Sequence, residues 1–183
     1  MKTLVIHEMR EEFFDYPLEN YILTFDDALY SQYYYLPLIN KISTKKIFFV
    51  CVGLIGGGDR RDQFSGDHKL FPSCYDAMRK WRESNNNYDY MNVEELKCIE
   101  DEIGAHGYSH LNDYGTELYT QVYNLQNDNQ KMFEWFDKNL GIRPTKFAFP
   151  HYIEPKFGRL IQKRHFDEVF VDERTTIEKE FDL

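Results

Sequence analysis

Short apolar runs that alternate with helical patterns along the chain constrain its fold more than any other feature. Thr3 to His7 and Tyr21 to Phe25 read as strands. Lys46 to Val52 is continuous in Ile47, Phe48, Phe49, Val50 and Val52, as in a strand covered on both faces. Ile103 to Ala105, Lys146 to Phe149 and Glu168 to Val171 complete the strand candidates. Between them, Leu29, Tyr33, Leu36, Ile39 and Ile42 recur at helical spacing over Ala28 to Ile42, with Pro37 set to kink or end the helix. Ser73 to Ser84 predicts a helix around Met78 and Trp81, and Asn92 can cap another whose first turn holds Glu94 and Glu95. Thr116 to Leu140 is the longest helical pattern, stopped by Gly141, and Pro155 to Arg164 is the last. Such alternation predicts an α/β domain with a parallel sheet or barrel. The charged stretch Thr175 to Leu183 is expected to fray.

The 183 residues suit a single domain, and 42% hydrophobic content is enough for a sizeable core. A formal net charge of -9 argues against a partner that presents phosphates, whether nucleic acid or anionic membrane, and leaves a neutral partner such as a sugar. Cys51, Cys74 and Cys98 form no Cys-x-x-Cys motif and read as reduced structural thiols. The apolar run at the start is too short for a signal peptide and no later stretch approaches a membrane span, so a cytoplasmic protein is expected. Gly53 to Gly66, with Gly56-Gly57-Gly58, reads as a mobile loop without the Gly-Lys-Ser/Thr ending of a phosphate cradle. It belongs to a long insertion, Gly53 to Tyr90, of the kind that often covers a site.

Four of the strand candidates end on polar groups: His7, Asp26-Asp27, His106 with His110, and Pro150-His151-Tyr152. In a parallel architecture the carboxyl ends of strands share one face, so these groups converge. Adjacent acids at the end of an apolar strand repel each other, which makes metal binding or general-base work an alternative to capping the next helix. His106 and His110 are spaced i and i+4, which on a turn of helix would direct both imidazoles to one side, as a divalent metal requires. The alternative is a loop pair bonded to backbone.

The ordered series Thr24-Phe25-Asp26-Asp27, Glu102-Ile103-Gly104-Ala105-His106-Gly107-Tyr108-Ser109-His110 and Phe147-Ala148-Phe149-Pro150 resembles the motifs of the polysaccharide deacetylases, the NodB-homology family. The resemblance runs from about Thr3 to about Asp172. It implies a distorted, incomplete (β/α) barrel of about six or seven parallel strands. It also implies that Asp26 is the general base, that Asp27, His106 and His110 bind a divalent metal, commonly zinc, and that the backbone N–H of His151 stabilises the oxyanion. The leucine-histidine motif that often supplies the acid is missing from the C-terminal stretch. Leu4-Val5-Ile6-His7 stands where the branch resembling poly-N-acetylglucosamine deacetylases carries the permuted motif, which makes His7 the candidate acid.

Departures from the pattern are few. Ala28 replaces a usual glycine, Gly107 a frequent serine or threonine, Ala148 the usual arginine and His151 the usual tyrosine. Asp172 is the candidate partner of His7. The resemblance implies hydrolysis of the N-acetyl group of a sugar in a polysaccharide, such as one of the cell surface, or in its precursor. A catalytically silent carbohydrate-binding domain and a metal-dependent hydrolase of a non-sugar amide are the competing readings.

Overall fold

The computed structural model describes residues 1–171 and 175–181. Its strands are β1 (Lys2–Ile6), β2 (Tyr21–Asp26), β3 (Lys46–Val50), β4 (Glu102–Ala105), β5 (Lys146–Ala148), β6 (Glu168–Phe170) and β7 (Thr175–Thr176). Its α-helices are α1 (Tyr30–Tyr34), α2 (Leu36–Ile39), α3 (Cys74–Ser84), α4 (Val93–Leu96), α5 (Leu118–Leu140), α6 (Gly158–Gln162) and α7 (Ile177–Glu180). The strands form one seven-stranded sheet in the order β6-β5-β4-β3-β2-β1-β7. Pairing of β1 with β2 and β7, and of β5 with β4 and β6, is parallel. This is the incomplete (β/α) barrel expected from the alternation and the motif series. Among the described residues no helix is long and apolar enough to cross a membrane.

By its internal contacts the chain divides into two units. The first comprises Met1–Phe48, Leu54–Glu102 and the C-terminal segment. Its core is built on Leu4, Val5 and Ile6 of β1 and Leu23 and Phe25 of β2, with Phe25 stacked on Phe48 at a centroid distance of 4.5 Å. The expected helix over Ala28 to Ile42 is broken into α1 and α2, and Pro37 lies in the first turn of α2, where its missing N–H costs nothing. Ser73 caps α3, and Asn92 with Glu95 makes a capping box for α4. Glu95 is fully buried, and Arg61 reaches it with two nitrogens while also donating to the carbonyls of Tyr88 and Tyr90. The expectation of a mobile Gly53 to Gly66 loop is corrected accordingly: a buried ion pair ties its middle to α4, because Glu95 needs a charged partner where water cannot reach it.

The expectation that Thr175 to Leu183 frays is corrected over residues 175–181; the rest of that stretch lies outside the described residues. Thr175 and Thr176 pair with Leu4 and Val5 as β7, and Phe181 packs on Phe13 with ring centroids 5.0 Å apart. Backbone pairing on the open edge of β1 and an aromatic contact hold a segment whose charge alone suggested disorder.

The second unit holds Phe49–Gly53 and the stretch from Ile103. Phe147 packs on Phe149 and Phe166, and Met132 and Phe136 of α5 are fully buried. α5 ends at Gly141 with φ 65, the left-handed cap expected there. Its buried side is less apolar than its pattern suggested: Leu118 is exposed, whereas Asp128 and Asn129 are buried, Asn129 in a reciprocal amide pair with Gln162. Among the described residues Cys51, Cys74 and Cys98 form no disulfide.

Candidate active site

The register of β1 on β2 decides what faces what. Val5 lies beside Thr24 and Ile6 beside Phe25, the last pair of the ladder, and His7 and Asp26 are the residues that follow it on the two chain segments. The charges of Asp26 and Asp27 are close enough to act on the His7 ring.

Asp172, the candidate partner of His7, lies outside the described residues; among those described, Glu178 of α7 partners His7. One carboxylate oxygen of Glu178 accepts the His7 backbone N–H at 3.0 Å and lies 3.4 Å from Nδ1 of the ring. Burial disfavours the imidazolium, but the hydrogen bond to Glu178 and the charges of Asp27, Glu178 and Asp26 outweigh it and raise the His7 pKa to about 9. His7 is therefore an imidazolium at neutral pH, with Nδ1–H directed to Glu178 and the Nε2 proton left to give.

Asp26 and Asp27 are both buried. The helix-cap reading of this pair is not met: the N-cap of α1 is Leu29, without a side-chain cap. Instead the chain passes through left-handed backbone at Asp27 (φ 70) and Ala28 (φ 59), which turns Asp27 away from the strand direction that Asp26 still follows. The preference for glycine at the position of Ala28 in the resembled motif has its reason in that positive φ.

In the second unit, the expected helical turn carrying His106 and His110 is corrected. Both residues lie in a loop after β4, with Gly107 at φ 81 and His110 at φ 50. The loop is shaped by Asp128 of α5, whose buried carboxylate accepts the backbone N–H groups of Tyr108 at 2.7 Å and Ser109 at 2.9 Å. A side chain at Gly107 would place its Cβ 2.9 Å from that carboxylate, which is why glycine stands there. His106 donates from Nδ1 to the carbonyl of Ala148 at 2.8 Å. A carbonyl only accepts, so the tautomer is fixed and Nε2 remains for a ligand. The two rings are 5.3 Å apart, and His151 stands 4.6 Å from His110, edge to face. His151 and Tyr152 also have positive φ, 54 and 57. Among the described residues, five of the seven non-glycine residues with positive φ belong to these motifs: Asp27, Ala28, His110, His151 and Tyr152. Backbone strain of this kind costs of order 1–3 kcal/mol per residue and collects at functional sites.

Asp27, His106 and His110 are all buried, and each offers a ligand atom within 4.8 Å of the other two. The donor set fits a divalent metal: one carboxylate and two imidazoles, one of them held by a backbone carbonyl at its far nitrogen. Cys74 lies near the charges of Glu8, Asp27 and Glu178, but burial first and those charges next push its thiol up, so it stays a neutral thiol. Asp128 and Glu178 are the site residues that motif reading missed. Asp128 left a signal, an acid on the apolar stripe between Leu125 and Met132 of α5; Glu178 left none.

No family model and no curated protein matches the chain. Solved structures do. The chain is similar to IcaB from Ammonifex degensii at 18% identity and a TM-score of 0.60, covering 95% of this chain and 85% of that one. It is similar to the BpsB deacetylase domain from Bordetella bronchiseptica at 10% identity and a TM-score of 0.66, over 94% and 88% of the two chains. A de-N-acetylase from Aggregatibacter actinomycetemcomitans matches at 10% identity and a TM-score of 0.62, over 90% and 84%. These likenesses agree with the topology, the motif order and the buried Asp-His-His group: the chain has the NodB-like fold of the polysaccharide deacetylases.

Proposed function

We propose that the chain is a metal-dependent deacetylase that removes the N-acetyl group from an N-acetylated sugar of a polysaccharide or its precursor. The observation that carries this reading is the company kept by the Asp27, His106 and His110 group: the neighbour of Asp27 in sequence, Asp26, and His7 both follow the last pair of the β1–β2 ladder, and the charges of Asp26 and Asp27 help to raise the His7 pKa. A silent binding module has no use for a base and a protonated acid beside a ligand set. The deacetylase names of the structural neighbours support the same reaction class, and the start of the chain supports the branch in which the acid comes first in sequence.

In this reading Asp27, His106 and His110 hold the ion, which when bound supplies Lewis-acid polarisation and a lowered water pKa. Asp26 takes the proton from water as the oxygen attacks the acetamide carbonyl carbon. The backbone N–H of His151 donates to the oxyanion that forms. His7 then gives its Nε2 proton to the amine nitrogen as the carbon-nitrogen bond breaks, leaving acetate and a free amino sugar. Glu178 holds the ring in place for that transfer. Zinc is the metal we assign, on the nitrogen and oxygen donor set.

Acetate release from the zinc-loaded chain separates the three readings. We expect release from N-acetylglucosamine oligomers and none from an acetyl-lysine peptide. Release from the peptide alone would make the protein a hydrolase of non-sugar amides, and oligomer binding without acetate would make it a silent domain.

A further inference from the structure

Gln32 is fully buried in α1, one turn after the acid pair, and is part of no motif. Its amide nitrogen donates to the backbone carbonyl of His7 at 2.6 Å and to that of Asp26 at 2.7 Å. These are the residues at the ends of β1 and β2, just beyond the last ladder pair, Ile6 with Phe25. The neighbouring Ser31 accepts the backbone N–H of Met9 at 2.9 Å. One turn of helix therefore grips the segment after β1 at two points and the end of β2 at one. An amide nitrogen has two protons, so a single side chain can serve both carbonyls, and no hydrophobic residue could. The amide oxygen is buried and has no hydrogen-bond partner among the described residues, a cost offset by the two bonds that the amide nitrogen donates.

We propose that Gln32 is a positioning residue that fixes the separation of the base Asp26 from the acid His7 by bridging their backbone carbonyls. Without the bridge the carbonyls of His7 and Asp26 lose the side chain they share, which loosens the segment that carries His7 against the end of β2. Because general acid and base must each lie within hydrogen-bond reach of one bound substrate, drift of an ångström falls on turnover and not on binding.

The test uses Gln32→Met, which keeps the length of the side chain and removes both donated bonds. The expected result is faster amide hydrogen exchange over His7 to Met9, by tenfold or more, with exchange in β3 unchanged. With N-acetylglucosamine oligomers, kcat is expected to fall by about 10- to 100-fold, with KM within about twofold and metal content unchanged. Gln32→Glu, of the same shape but without the two-proton amide, is the second variant should Gln32→Met not fold, with the same expectations. Unchanged exchange overturns the proposal whatever the kinetics, and so does unchanged kcat in a chain that is active before substitution. The kinetic arm rests on the deacetylase reading and the exchange arm does not. Faster exchange in a chain whose unsubstituted form releases no acetate would leave the bridge standing and the deacetylase reading refuted.

Discussion

Asp26→Asn is expected to lower acetate release by about a thousandfold while the chain keeps its metal. The substitution leaves the shape of the β2 end and the left-handed turn at Asp27 intact, so the ligand group of Asp27, His106 and His110 persists. What disappears is the carboxylate proposed as the base, which follows the last β1–β2 pair as His7 does. Neighbouring acids that both had to remain charged would be costly in a buried place, but a cation held by Asp27 neutralises one and lets the other stay ionised. The comparison to make is kcat with metal content measured on the same sample. Loss of rate together with loss of metal would point to a ligand role for Asp26.

The second large effect is expected at His7. His7→Ala should reduce kcat by a hundredfold or more, with the metal retained, because the leaving amine then has no proton donor. Glu178→Gln should act more gently and chiefly through pH. Glu178 and the two aspartates raise the His7 pKa to about 9 in the metal-free chain, against the opposing effect of burial. Removing the Glu178 charge lowers that pKa, so the alkaline limb of the rate profile moves to lower pH. A bound cation at Asp27 acts in the same direction, which places the limb of the loaded enzyme below about 9 before any substitution. Stability follows with a definite sign. A raised folded-state pKa stabilises fully below the unfolded value of about 6.5, and that contribution is lost as pH rises through about 9. Chemical denaturation of the metal-free chain should therefore show the advantage over Glu178→Gln disappearing across that interval. An advantage independent of pH would mean that Glu178 serves only to dock α7.

Much of this was legible in the sequence because it depended on local patterns. Alternation of apolar runs and helical patterns marked six of the seven strands among the described residues, and polar residues at the ends of runs pointed to Asp27, His106 and His110, the group that could hold a metal. What remained hidden depended on contacts distant in sequence. β7 is two residues long and has no pattern of its own; it exists because β1 offers an unpaired edge. Glu178 sits in a stretch whose charge argued for solvent, and only that edge pairing brings it to His7. The helical reading of His106 and His110 failed because i,i+4 spacing also suits a loop, here one wrapped on a carboxylate of another element. Gln32 and Asp128 share a signal that was present but unused: each is a polar residue on an apolar helical stripe, between Leu29 and Leu36 in one case and between Leu125 and Met132 in the other. A polar side chain kept in such a place must be satisfied by something, and here both hold backbone at the site.

The most direct test of the account is a cycle of metal removal and return on the unaltered chain, with acetate release from N-acetylglucosamine oligomers measured at each stage. The account predicts that a chelator abolishes release and that added zinc restores it in proportion to the metal bound, up to one ion per chain. Release that survives complete removal of the metal would contradict it.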